Sequence, residues 1–139
     1  MIVVDTNVIS EAMKLAPSPT VIEWLNKQDA AALFLSTVTI GEIVYGLGIL
    51  PTGKRRSTLK KSFDKLVEFA FEHRILALDE KAARLYGEIM AERRQMGRPM
   101  SMADGQIAAI ARCNGFAIAT RNVQDFDDCG VAVLNPFAN

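Results

Sequence analysis

Four oxygen-bearing side chains stand where chemistry could be done. Asp5 ends the apolar run Ile2-Val3-Val4, Glu42 follows Thr39-Ile40-Gly41, Asp104 follows Ser101-Met102-Ala103, and Asn122 follows Thr120-Arg121. Asp125 and Asp127 lie a little further along that last stretch. Carboxylates and a carboxamide together suit a hard divalent cation, magnesium or manganese, better than a metal that seeks thiols or imidazoles. Two carboxylates about 4 Å apart repel by roughly 4 kcal/mol at an effective dielectric of about 20. Without a cation such a cluster would protonate in part or splay apart. A divalent ion offsets the repulsion and can activate water or hold a phosphate oxygen. The chemistry implied is hydrolysis of a phosphodiester by metal-activated water.

Each residue also has a plainer reading. Thr39-Ile40-Gly41-Glu42 fits a capping box, in which Glu42 satisfies the backbone at a helix start, and Ser101-Met102-Ala103-Asp104 fits the related pattern with Asp in fourth place. An Asn in a loop often serves a turn, which would account for Asn122 alone. Asp5 resists such a reading, because a carboxylate ending an apolar strand is costly to desolvate unless partnered.

The elements that must position these residues alternate short apolar runs with helical periodicities. Strands are expected at Ile2–Val4, Leu33–Ser36, Ile75–Leu78, Ala117–Ala119 and Val131–Leu134. Helices are expected from Pro19 to about Lys27 with Ser18 as cap, and from Thr39 to Leu50 before Pro51 and Gly53. Another carries Leu59, Phe63, Leu66, Val67 and Ala70 on one stripe. A long one is capped by Asp79, and the last runs from Ser101 to Asn114-Gly115. Strands separated by helices predict βαβ units and a parallel sheet covered on both faces, hence one α/β domain over residues 1–139. In such sheets ligands bind beyond the carboxyl ends of the strands. Asp5 ends the first strand and Thr120-Arg121-Asn122 follows the fourth. Glu42 and Asp104 are expected in the first turns of their helices. The three carboxylates and the carboxamide could thus gather at one edge.

Bulk composition narrows the function. The chain has 139 residues, half of them apolar, with 16 basic and 16 acidic residues balancing to zero. A protein coating nucleic acid by phosphate neutralisation alone would be more basic, but zero net charge leaves room for a locally basic groove around an acidic site. His73 is the only histidine, which excludes two-histidine acid–base chemistry. Cys113 and Cys129 are too few for a disulfide framework and wrongly spaced for zinc, so both are expected reduced in or near the core. No leader or membrane-spanning run is visible, and a cytoplasmic protein is expected.

At the acidic residues the sequence becomes recognisable. Asp5-Thr6-Asn7-Val8-Ile9-Ser10 resembles the opening motif of the PIN-domain toxins of the VapC/FitB type. Ser36–Ile43 is similar to their second motif, Ala103–Ala109 to the third, and Ala119–Phe126 to the fourth, while Asn135-Pro136 matches a common closing pair. The resemblance covers essentially the whole chain, in order. It implies a single PIN-like domain, with a five-stranded parallel sheet in the order 3-2-1-4-5 flanked by helices. It also implies magnesium- or manganese-dependent endoribonuclease activity, as the toxin of a type II toxin–antitoxin system. By position Asp5 and Asp104 would be the principal metal ligands. Glu42 would bind directly or through water and help orient the nucleophile. Thr6 and Thr120 would add hydroxyl contacts to metal-bound water or phosphate. One departure matters: Asn122 falls where the family more often has a fourth acid, which removes one negative charge, and Asp125 is a candidate substitute.

Other residues could meet RNA or a partner. Arg121, at the strand-end loop, is the best placed to meet RNA. Lys54-Arg55-Arg56 with Lys60 and Lys61, and Arg93, Arg94 and Arg98, read either as phosphate contacts or as solvated surface. Met90, Met96, Met100 and Met102 read as core packing or as a partner groove. Ile9, Trp24, Leu25 and the Ile43–Leu50 face could leave an apolar groove. The resemblance implies that a segment of a cognate antitoxin lies in such a groove, within a homodimer or a toxin–antitoxin hetero-oligomer. Two rival readings stand beside the nuclease. One is a degenerate domain that binds RNA or antitoxin without cutting. The other is a phosphotransferase or phosphatase with Asp5 as covalent nucleophile, for which the sequence lacks an evident Asp-x-Asp and a well-placed partner lysine.

Overall fold

The central strand is the chain's first. In the computed structural model, which describes residues 1–138, Ile2–Val4 forms β1, flanked by β2 (Leu33–Ser36) and β4 (Ala117–Ala119). Strand β3 (Ile75–Leu76) lies outside β2, and β5 (Val133–Leu134) outside β4. Every pairing is parallel and the order is β3-β2-β1-β4-β5, as expected. Ile2 lies opposite both Leu33 and Ala117, which fixes the register of the three inner strands.

Among the described residues six α-helices cover the sheet: α1 (Thr6–Ala12), α2 (Pro19–Lys27), α3 (Thr37–Gly48), α4 (Lys54–Lys65), α5 (Glu80–Gln95) and α6 (Met102–Asn114). Alternation along β1 divides the interior. Ile2 and Val4 join one core with Val8, Ile9, Val21, Leu35, Ile43 and Phe63, while Val3 joins the other with Ile89, Ile107, Ala108, Ile118 and Phe126. The inner strands are therefore apolar on both faces, as a doubly covered parallel sheet requires. Helix α6 is buried throughout Ile107–Ala111. Its Gly105 lets α5 approach closely: a Cβ there would stand 2.5 Å from the Met90 sulfur and 3.0 Å from the Tyr86 ring. Cys113 and Cys129 are free thiols, half-buried and buried.

Several expectations need correction. Helix α1 was not anticipated, because its seven residues span too few turns for apolar periodicity to emerge. Helix α3 begins at Thr37, not Thr39. Ser36 is its cap, accepting the Thr39 N–H at 3.1 Å, so Glu42 lies beyond the first turn and the capping-box reading of that residue fails. Ser18 precedes Pro19 as expected, but its hydroxyl makes no capping bond. Strand β3 stops at Leu76 rather than Leu78, and β5 begins at Val133 rather than Val131. Met90 and Met100 pack into the core, whereas Met96 and Met102 are exposed.

Candidate active site

Asp5 is both the end of β1 and the cap of α1. Its Oδ1 accepts the Thr6 N–H at 2.8 Å, and its Oδ2 accepts the Thr120 hydroxyl at 2.8 Å and the Asn7 amide at 3.4 Å. The carboxylate is 5% exposed. Burial pushes its pKa from the ordinary 3.8 up to about 6, against the lowering effect of the Thr120 and Thr6 hydrogen bonds. The neighbouring charges of Asp104 and Glu42 push the same way. Such a carboxylate is poised to exchange its proton for a cation near neutral pH.

Asp104 sits in the first turn of α6, as expected, where Ser101 accepts its N–H at 3.2 Å. Half-burial raises its pKa, the Ser101 hydroxyl and Arg93 lower it, and the charges of Asp125 and Glu42 raise it. Glu42 reaches the same place from α3, its Oε1 accepting the Thr6 hydroxyl at 2.6 Å. Thr6 Oγ1 lies 3.0 Å from Thr39 Oγ1, itself beside the Ser36 cap, so the start of α3 helps to orient Glu42. Asp5, Glu42, Asp104 and Asn122 line one cleft of about 380 Å³ together with Thr6, Asn7, Ser10, Glu11, Lys14 and Arg121. The three carboxylates and the carboxamide thus share one cleft wall. Thr6 spends its proton on Glu42 and Thr120 on Asp5, so both hydroxyls orient carboxylates.

The donor set is all oxygen, which fits magnesium or manganese. Among the described residues no three His, Cys, Asp or Glu side chains close into a ligand set. A cation here would keep several of its waters, which is the habit of magnesium.

Other sequence candidates fall elsewhere. Asp127 and Asp128 pair with Arg98 at 3.3 and 2.6 Å. Arg93, weighed as an RNA contact, is 4% exposed and donates to the main-chain carbonyls of Arg98, Asp125 and Asp127. His73 is exposed, in a turn of left-handed backbone before β3. Ile9 is buried in the core, and Trp24 and Leu25, half-buried, pack against it; none of the three lines the apolar groove. The apolar groove that does exist, about 650 Å³, adjoins the acidic cleft at Thr6, Ser10, Lys14 and Glu42. It is walled by Met13, Leu15, Ile43, Leu47, Leu50 and Leu59, with Lys54 and Arg55 also lining it.

Sequence reasoning missed Asn7, Glu11 and Lys14. Asn7 braces the site from both sides: its amide also reaches Thr120 Oγ1 at 3.2 Å, and its carbonyl oxygen accepts the Arg121 N–H at 3.1 Å. Glu11 is buried yet charged, its pKa lowered by Lys14 and by the Ser18 N–H. Four-residue spacing puts Asn7 and Glu11 on one helical face, a signal readable only once α1 is recognised.

Comparison with known proteins places the fold. The family model described as PIN domain matches residues 2–130. The VapC ribonuclease Y4jK of Sinorhizobium fredii is 39% identical over 137 residues, 99% of this chain and 98% of the relative. The toxin FitB of Neisseria gonorrhoeae is 35% identical, covering 99% of each chain. The crystal structure of FitAcB from Neisseria gonorrhoeae superposes with a TM-score of 0.91 at 34% identity, covering all of both chains. The chain belongs to the PIN-domain family.

Proposed function

We propose that this chain, acting as one domain over residues 1–139, is a magnesium- or manganese-dependent endoribonuclease and the toxin of a toxin–antitoxin pair. The observation that carries the reading is the buried Asp5, raised to about pKa 6 within a cleft it shares with Glu42 and Asp104. The names of the similar proteins, a VapC ribonuclease and the toxin FitB, support it. Asp5 and Asp104 would hold the cation, with Glu42 joining directly or through water and the Asn122 carboxamide completing the set. When bound, the cation supplies Lewis acidity at a phosphate oxygen and acidifies water. Thr120 and the Thr6 N–H fix the Asp5 carboxylate, and the Thr6 hydroxyl aims Glu42 at the nucleophile. Water attacks phosphorus in line and the bond to the 3′ oxygen breaks, leaving a 5′-phosphate and a 3′-hydroxyl. The partners in this reading are RNA and a cognate antitoxin, in a hetero-oligomer or a homodimer, in the cytoplasm. No described helix is long and apolar enough to cross a membrane.

Product chemistry tests the proposal. Wild type and Asp104→Asn are incubated with RNA and magnesium or manganese, and the product ends are mapped. Ends carrying 5′-phosphate, tolerance of a 2′-deoxy linkage at the cut, and loss of cutting in Asp104→Asn are expected. Obligatory 2′,3′-cyclic phosphate ends would overturn it. A second reading rests on Asn122, which puts a neutral amide on the cleft wall: a domain that binds without cutting. It is favoured if folded, antitoxin-free wild type cuts nothing with either metal.

A further inference from the structure

The cleft is electrically two-sided. One part carries Asp5, Glu42 and Asp104, which repel a polyanion until a cation is bound. The other carries Lys14 and Arg121, joined through one buried carboxylate. Glu11 Oε1 lies 3.0 Å from the Lys14 ammonium and 3.7 Å from the Arg121 guanidinium, while its Oε2 accepts the Ser18 N–H at 3.0 Å. Two cations share one carboxylate oxygen, so the trio keeps a surplus positive charge. Both cations remain more than half exposed while Glu11 is 7% exposed. The Arg121 guanidinium also lies 3.8 Å over the Phe137 ring. Stacking fixes the guanidinium plane and leaves its N–H edges free to donate, the arrangement that suits a phosphate. The Arg121 main chain is anchored too, by the Asn7 side chain that braces Asp5.

We propose that Glu11 is a positioning residue that holds Lys14 and Arg121 as a two-pronged clamp for an RNA phosphate beside the carboxylate cluster, with Phe137 as the platform under Arg121. This rests on the ribonuclease reading above. The clamp supplies the local attraction that a chain of zero net charge lacks, and sets the strand's path relative to the attacked phosphorus. Glu11 touches no substrate; it acts through the two cations.

The test is binding of a labelled, mixed-sequence single-stranded RNA to the full chain carrying Asp104→Asn, with magnesium, over roughly 50 to 200 mM salt. Arg121→Ala and Lys14→Ala should each weaken binding about fivefold to tenfold, and each should flatten the plot of log affinity against log salt by about 0.7. Glu11→Gln, which keeps the acceptor for Ser18, should weaken binding a few-fold when Lys14 and Arg121 are present and leave it unchanged in a background carrying both Lys14→Ala and Arg121→Ala. Equal losses in both backgrounds would assign Glu11 to the Ser18 loop alone and overturn its positioning role. RNA binding with unaltered affinity and salt slope in both single cation variants would overturn the clamp while leaving the nuclease standing. No RNA binding by the Asp104→Asn chain, in an assay where wild type also cuts nothing, would overturn both.

Discussion

Replacing Asp5 by Asn should change how stability depends on pH, and the size of the change follows from the site. The Asp5 pKa rises from 3.8 to about 6 on folding, chiefly because the carboxylate is buried. The folded protein thus binds this proton more tightly than the unfolded chain. The stability this confers is complete below about pH 3.8, shrinks as pH rises through the interval, and is gone above about pH 6. The shift corresponds to about 3 kcal/mol, or roughly 6–12 °C in Tm for a domain of this size. Asn has no such titration. Its NH2 group must replace one of two accepting oxygens and so faces either the Thr6 N–H or the Thr120 hydroxyl, and that mismatch costs the same at every pH. The informative quantity is therefore the pH dependence of the difference. In chelator, urea unfolding from pH 4 to 8 should show wild type losing about 2 kcal/mol relative to Asp5→Asn by about pH 6, then levelling to a plateau above about pH 7. Magnesium should restore much of that loss to wild type at pH 7 and do little for the variant. Parallel stability curves for the two proteins in chelator would refute the reasoning, since a carboxylate that titrates normally is neither desolvated nor crowded by Asp104 and Glu42.

Other substitutions probe the elements that hold the site. Gly105→Ala pushes a methyl group against Met90 and Tyr86 and should cost about 1–3 kcal/mol in urea unfolding, with cutting reduced as Asp104 shifts with its helix. Arg93→Met leaves three carbonyls of the α5–α6 and post-β4 loops without their donor, and calorimetry should show a loss of about 3 kcal/mol. Ser36→Ala removes the cap of α3 and should cost roughly 1–2 kcal/mol by denaturant titration.

The sheet was legible because its inner strands are short apolar runs buried on both faces and separated by helices long enough to show a stripe. Asp5 was legible because a carboxylate closing Ile2-Val3-Val4 needs an explanation, and Asp104 because Ser101 marks its helix start. What escaped has a common cause: the signal lay in partners rather than in the residue. Arg93 looks like any surface arginine, yet it is buried because main-chain carbonyls distant in sequence accept its protons. Glu11 looks like a solvated helix residue, and only the folding back of Ser18 and Arg121 gives it a role. Glu42 lines the cleft that holds Asp5 and Asp104, but its helix starts two residues before Thr39. Ser36 and Thr39 both precede it at capping-compatible positions, and the extended backbone of Ser36 at the end of β2, with its hydroxyl accepting the Thr39 N–H, decides between them.

The central claim is that Asp5 serves a bound divalent cation in cutting RNA. The most direct test is a cleavage assay on total cellular RNA with magnesium, manganese or chelator, comparing wild type with Asp5→Asn. Cuts that need a metal and vanish in the variant are the predicted result. Cuts that persist in chelator, or that Asp5→Asn makes as well as wild type, would contradict it.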